Sequence, residues 1–113
     1  TEGSAFAALV AAADPADGEK VYRKCQACHV VNDEKNRVGP HLVGLMGREI
    51  GGVDGFRYSS ALADMGGVWN ADNLSAWLED PKGFAPGNKM SFRGLPDEAD
   101  RAAVIAFIQS AGQ

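Results

Sequence analysis

Cys25-Gln26-Ala27-Cys28-His29 sets two thiols three residues apart, with an imidazole directly after the second. This is C-x-x-C-H, the pattern of covalent c-type haem attachment. Each thiol adds to one vinyl group of the macrocycle as a thioether, and the adjoining His is held beneath the iron as an axial ligand. Other chemistries of paired cysteines need more than this chain supplies. A closed structural zinc site takes four ligands, and beyond these three only His41 is left. A thioredoxin-like site needs a strand before it and βαβ units around it, and no alternating strand pattern of useful length is present. A disulfide between Cys25 and Cys28 would close one short loop and stabilise little.

With haem in place, the second axial ligand decides what the site does. Met90 and His41 are the main candidates, with Met46 and Met65 behind them. Met90 lies in the Pro86-Gly87-Asn88-Lys89-Met90 loop, far along the chain from the attachment site, whereas His41 follows His29 by only twelve positions. A thioether favours the ferrous state and raises the reduction potential, and two protein ligands leave no open position for substrate or oxygen. Such a site carries electrons. The alternative is a haem-based sensor or a peroxidase with an open or labile sixth position, for which His41 is the one candidate distal acid–base group.

The elements that must position these residues read as helices joined by long loops. Asp14-Pro15 opens a helix running to about Cys25, with Asp14 or Asp17 as its cap and Val21, Tyr22 and Cys25 at helical spacing. Residues 30–58 are rich in glycine and show no sustained period. A loop of that length is uncommon in a compact domain unless it wraps something. Ser59 or Ser60 can cap a short helix through Met65, stopped by Gly66-Gly67. Asn70 can cap the next, in which Leu74, Trp77 and Leu78 share a face and Pro81 sets the end. Asp97 caps the last helix, with Val104, Phe107, Ile108 and Ala111 as an i, i+3, i+4, i+7 stripe. The expected fold is all-α, with about four to five helices and long loops around one cofactor.

Length and charge bound the rest. The 113 residues suit one domain, divided here into an Ala-rich extension or linker over 1–13 and a haem domain over 14–113. Eighteen residues are Ala, and Leu, Ile, Val and Phe together number only 24, thin material for a core. Gly and Pro together number 19, so much of the chain lies in turns. The net charge of −4 and the lack of a basic run argue against nucleic acid as a partner. No apolar run approaches the roughly 18 residues of a membrane span; the continuous run over residues 4–13 suits a frayed helix or linker better, and the start at Thr1 implies a removed signal peptide or a truncated upstream tether. Charge is unevenly placed: residues 20–57 and 82–93 each sum to +3, while 1–19 and 58–81 each sum to −4.

Several landmarks then occur in order: Gly18 and Tyr22, the CQACH motif, Gly39-Pro40-His41-Leu42, Gly44-Leu45-Met46-Gly47-Arg48, Gly55-Phe56-Arg57-Tyr58-Ser59, Trp69, Trp77-Leu78-Glu79-Asp80-Pro81 and Pro86-Gly87-Asn88-Lys89-Met90-Ser91-Phe92. Over about residues 15–110 the chain resembles the class I c-type cytochromes, the group of cytochrome c2 and mitochondrial cytochrome c. It is also similar to the soluble haem domains of membrane-anchored alphaproteobacterial cytochromes c. The resemblance implies thioether bonds at Cys25 and Cys28 and iron ligation by His29 and Met90. It places Pro40, Arg48, Tyr58, Ser59, Trp69, Trp77 and Asn88 around the haem and its propionates, Ser59 and Asn88 where the family often has Thr. Two positions depart from the pattern: Leu62 stands where relatives commonly carry Asn, and Trp77 where they carry Tyr. The implied function is one-electron transport, without enzymatic turnover, by a monomer in the bacterial periplasm. Its partners would be a quinol-oxidising complex and a terminal oxidase or other respiratory or photosynthetic acceptor. Lys24, Lys35, Lys82, Lys89 and Arg93 would form the docking surface for an acidic partner.

Overall fold

The computed structural model describes residues 5–26, 29–31, 33–37, 39–53, 55–88, 90 and 92–111. Within the Ala-rich start, helix α1 spans Ala5–Ala12. Alanine is the best helix former, and Phe6 and Val10, four residues apart, are buried against the rest of the molecule. Helix α2 (Pro15–Tyr22) is capped by Asp14, whose carboxylate accepts from Ala16 N at 2.9 Å. It is shorter than the sequence suggests. Beyond Tyr22 the chain tightens into a turn, with Cys25 N and Gln26 N both donating to Tyr22 O at 2.7 and 3.1 Å.

Helix α3 (Ser60–Ala63) has Ser59 at its N-cap position, yet the Ser59 hydroxyl makes no capping bond. Helix α4 (Ala71–Glu79) starts with a reciprocal cap: Asn73 N donates to Asn70 Oδ1 at 2.9 Å and Asn70 N to Asn73 Oδ1 at 2.8 Å. Its Leu74, Trp77 and Leu78 are buried on the face the spacing predicts. Helix α5 (Pro81–Phe84) is a single turn that periodicity does not reveal; Pro81 occupies its first position and Asp80 accepts from Gly83 N at 3.2 Å.

Helix α6 (Glu98–Ala111) is capped by Asp97, which accepts from Ala99 N at 2.9 Å, and carries Glu98 and Asp100 in its first turn, where acidic groups complement the macrodipole. The expected stripe is buried at Val104 and Ile108, but burial extends without a break over 101–106, because α1, α2 and α4 all pack on this helix. Arg101 is therefore interior and 7% exposed. Its guanidinium donates to Ser75 Oγ at 3.0 Å and to the carbonyls of Leu95 and Pro96 at 2.8 and 2.9 Å, tying α4 and the loop before α6 to the helix. Nothing in the sequence pattern distinguishes this arginine from a solvated one.

The most extensive pairing joins α2 to α6. It depends on Gly18: a Cβ there would fall on the Ala103 carbonyl and 2.8 Å from Phe107 Cβ. Tyr22, one turn on, meets the Phe107 ring at a centroid distance of 5.2 Å. Among the described residues the fold is all-α, with six helical segments and no strand, only an isolated bridge between Glu49 and Val68. That bridge has a purpose for the site. Gly47 N donates to Trp69 O at 2.8 Å, Trp69 N to Arg48 O at 2.9 Å and Ile50 N to Gly67 O at 2.9 Å, which fixes Arg48 beside Trp69. No helix among the described residues is long and apolar enough to cross a membrane.

Candidate functional site

A cavity of about 480 Å³ opens among α4, α6 and the loops between Cys25 and Phe92. That volume falls in the range of roughly 300–1,000 Å³ typical of sites for small molecules and cofactors. Its walls are largely apolar: Leu45, Trp69, Leu74, Trp77, Leu78 and Ile108 belong to the hydrophobic core and line the cavity as well. Trp77 is held by the rings of Trp69 and Phe84, with centroids at 6.1 and 6.0 Å.

Cys25, His29 and Met90 all line this space. The turn after α2 delivers the first two, since His29 N donates to Cys25 O at 3.1 Å. Tyr22 then holds the far side of that turn, its hydroxyl donating to His29 O at 2.6 Å. Burial, reinforced by the neighbouring Cys25 thiol, pushes the Tyr22 phenol up to about 12, so it stays protonated and remains a donor. The His29 ring is fixed through Nδ1, 2.8 Å from the Pro40 carbonyl. A carbonyl only accepts, so Nδ1 carries the proton and Nε2 keeps its lone pair. Burial lowers the His29 pKa, the Pro40 bond opposes this, and the positive Arg48 lowers it further. The imidazole is neutral at pH 7, the form that can ligate a metal. Gly39 supports the same ring by close approach: a Cβ at this position would sit 2.6 Å from His29 Nδ1.

The other sulfur and imidazole candidates lie elsewhere. His41 does not line the cavity; its Nδ1 accepts from Val43 N at 3.3 Å and its own N–H donates to Asn36 Oδ1 at 3.1 Å. Met46 faces a separate groove beside α1, and Met65 is exposed. Cys28 and Lys89 lie outside the described residues.

Pro40, Arg48, Tyr58, Ser59, Trp69 and Trp77 line the cavity. Arg48 Nη1 donates to the carbonyls of His41 and Val43 at 2.8 and 3.2 Å, while its Nε is buried with no hydrogen-bond partner, as is Ser59 Oγ. Burial pulls the Arg48 guanidinium down from its ordinary value, with Tyr58 opposing. Tyr58 oxygen accepts from Val53 N at 3.1 Å. Two orphaned polar groups at the edge of an apolar cavity fit the carboxylates of a haem, whose flat apolar body suits the remaining walls. Asn88 departs from this grouping. It lies outside the cavity lining, with its amide bonded within its own loop.

Sequence reasoning left several lining residues unassigned. Leu74 and Leu78 were visible as an apolar helical face, but the pattern does not say whether that face meets protein or cofactor. Phe56, within Gly55-Phe56-Arg57-Tyr58-Ser59, and Phe92, two residues beyond Met90, also reach the cavity. Arg57 is exposed and borders the opening together with Lys24, whereas Lys35, Lys82 and Arg93 are exposed away from the lining.

The sequence model of the Cytochrome c family matches residues 15–112. A cytochrome c-type protein, cyt cy of Rhodobacter capsulatus, is 49% identical over 92 residues, covering 81% of this chain and 46% of the relative, so this chain spans about half of that protein. Cytochrome c2 iso-2 of Magnetospirillum fulvum is 47% identical over 95 residues, covering 84% of this chain and 99% of the relative. Among solved structures, cytochrome cH from Methylobacterium extorquens superposes with a TM-score of 0.81 at 43% identity, covering 86% of this chain and 98% of that one.

Proposed function

This chain belongs to the cytochrome c family, with the class I cytochrome c fold and one covalently bound haem c, and on that premise we propose how its residues serve electron transport. Cys25 and Cys28 would form the thioether bonds, His29 Nε2 and the Met90 sulfur would ligate the iron, and Arg48, Tyr58, Ser59 and Trp69 would surround the propionates. One observation carries this reading: a single cavity gathers Cys25, His29 and Met90 and leaves His41, Met46 and Met65 outside. When bound, the haem supplies an iron that takes up and releases one electron.

The chain's own residues set the conditions for that exchange. Pro40 holds the His29 proton on Nδ1, which fixes the ring orientation and directs Nε2 to its ligand role. The apolar walls from α4 and α6 exclude water, which favours the less charged form of the centre and limits reorganisation when charge changes. With both iron ligands supplied by the protein, no position would be left for a substrate. In ferric protein we expect the weak absorption near about 695 nm that marks Met–iron bonding, and no uptake of carbon monoxide by the ferrous form. Met90→Ala should abolish the band, admit carbon monoxide and lower the reduction potential. A wild-type ferric spectrum without the band, together with carbon monoxide binding, would move the reading to the sensor or peroxidase.

The finer assignment is a carrier in the bacterial periplasm, between a quinol-oxidising complex and a terminal oxidase or other acceptor. The relatives are bacterial, which supports this assignment. Lys24 and Arg57 at the cavity opening, with Lys35, Lys82, Lys89 and Arg93, offer the cations that an acidic partner would meet. The bimolecular rate with such a partner should fall as ionic strength rises from about 10 to about 200 mM, since screening shortens the reach of these charges. A rate that does not change over that range overturns the docking surface.

A further inference from the structure

Asn88 is bonded on every side within the loop that carries Met90. Its Nδ2 donates to the carbonyls of Pro81 and Ala85, both at 2.9 Å, and its Oδ1 accepts from Met90 N at 2.8 Å. Its own N–H donates to Ala85 O at 3.1 Å. Pro81 is one of the most buried side chains in the molecule and opens α5, while Ala85 is 1% exposed. The loop's two fixed points on this side are thus joined through one amide to the backbone of Met90. On the other side, Leu95 N donates to Leu78 O at 2.7 Å and Leu95 O accepts from Arg101 at 2.8 Å. The segment between these anchors contains Met90.

From this geometry we infer that Asn88 is a positioning residue that holds the Met90 thioether at the cavity, a role distinct from the contact with haem propionates implied by resemblance. The inference rests on Met90 as axial ligand. An amide does this where a hydroxyl would not: one planar group supplies two donors to two carbonyls and an acceptor to a third group, whereas threonine has a single O–H to give. Breaking the link lets the backbone at Met90 move away from α5, so the fraction of molecules with an open sixth position rises. An external ligand then binds in proportion to that fraction.

Imidazole added to the ferric holoprotein reads this fraction directly, through loss of the absorption near about 695 nm. Asn88→Ala should raise the apparent imidazole affinity about fivefold, the factor that one net hydrogen bond is worth. Asn88→Asp, nearly the same shape, keeps an acceptor for Met90 N but loses both donors, and should shift the affinity in the same direction. It stands in if the alanine variant does not fold. Asn73→Ala, which breaks the α4 cap away from this loop, should lower the melting temperature while leaving imidazole affinity unchanged. Imidazole affinities within twofold of wild type for the Asn88 variants would overturn the inference. So would an Asn73→Ala variant with the same rise, because the effect would then be general loosening. A wild-type protein that lacks the band from the outset overturns instead the assignment of Met90, and is recognised before any variant is made.

Discussion

Deprived of haem, the chain should be largely unfolded, with a near-UV circular dichroism spectrum that is flat where the haem-loaded protein shows resolved aromatic bands. The cavity is lined by residues that would otherwise be the centre of the core, among them Leu45, Leu74, Trp77, Leu78 and Ile108. The macrocycle presents several hundred Å² of apolar surface to these walls, worth roughly 10 kcal/mol at about 25 cal/mol per Å². The whole stability of a domain this size is about 5–15 kcal/mol. Removing one contribution of that size leaves no margin, and 24 large aliphatic and phenylalanine side chains provide no second core to fall back on. A haem-free chain with sharp aromatic bands and a cooperative melt would show that protein packing alone closes this fold.

Gly18→Ala should destabilise the haem-loaded protein by about 3 kcal/mol, the upper end of overpacking costs, and lower its melting temperature by roughly 10 °C. The sign is what makes the test sharp. In an exposed helix interior this substitution stabilises by about 1 kcal/mol, because alanine is the better helix former. Here the new methyl would meet the Ala103 backbone, whose carbonyl carbon lies 2.6 Å from the Cβ position, and Phe107 Cβ at 2.8 Å. The first of these is helical backbone and cannot step aside as a flexible side chain would. The two helices must separate, which also loosens Tyr22 from the Phe107 ring. A thermal melt that is unchanged or raised would refute the close crossing.

The local chemistry of this chain is legible in its sequence to an unusual depth, because the caps and the attachment motif act over a few residues. Asp14, Asn70 and Asp97 each cap the helix their position suggests. The spacing of Leu74, Trp77 and Leu78 identifies a buried face correctly. What stays hidden depends on long-range packing. Arg101 is buried because three helices converge on α6, a fact that no window around residue 101 contains. Asn88 turns inward because its one amide bridges the Pro81 and Ala85 carbonyls to Met90 N, and Arg57 reaches the opening because the loop bearing it folds back to the cavity. Helix α1 is half legible for a different reason: with no polar residue in its length, AFAALVAA has no period to separate a helix from a linker, and only the burial of Phe6 and Val10 gives it a face.

The pairing of α2 with α6 has a kinetic side. It joins the first helix of the family-matched segment to the last, so the contact with the greatest helix-to-helix extent is also among those with the greatest separation along the chain. Long-range contacts pay their loop-closure entropy before they return any stabilisation, and chains dominated by them fold more slowly than bundles of sequential neighbours. Cys25 and Cys28, the proposed attachment sites, stand just inside this loop, three and six positions along the sequence beyond the end of α2. A cofactor bonded there is already tethered within the chain while the two terminal helices are still apart. Its bulk gives the intervening loops something to collapse upon, and the distance the helices must search is shortened before they meet.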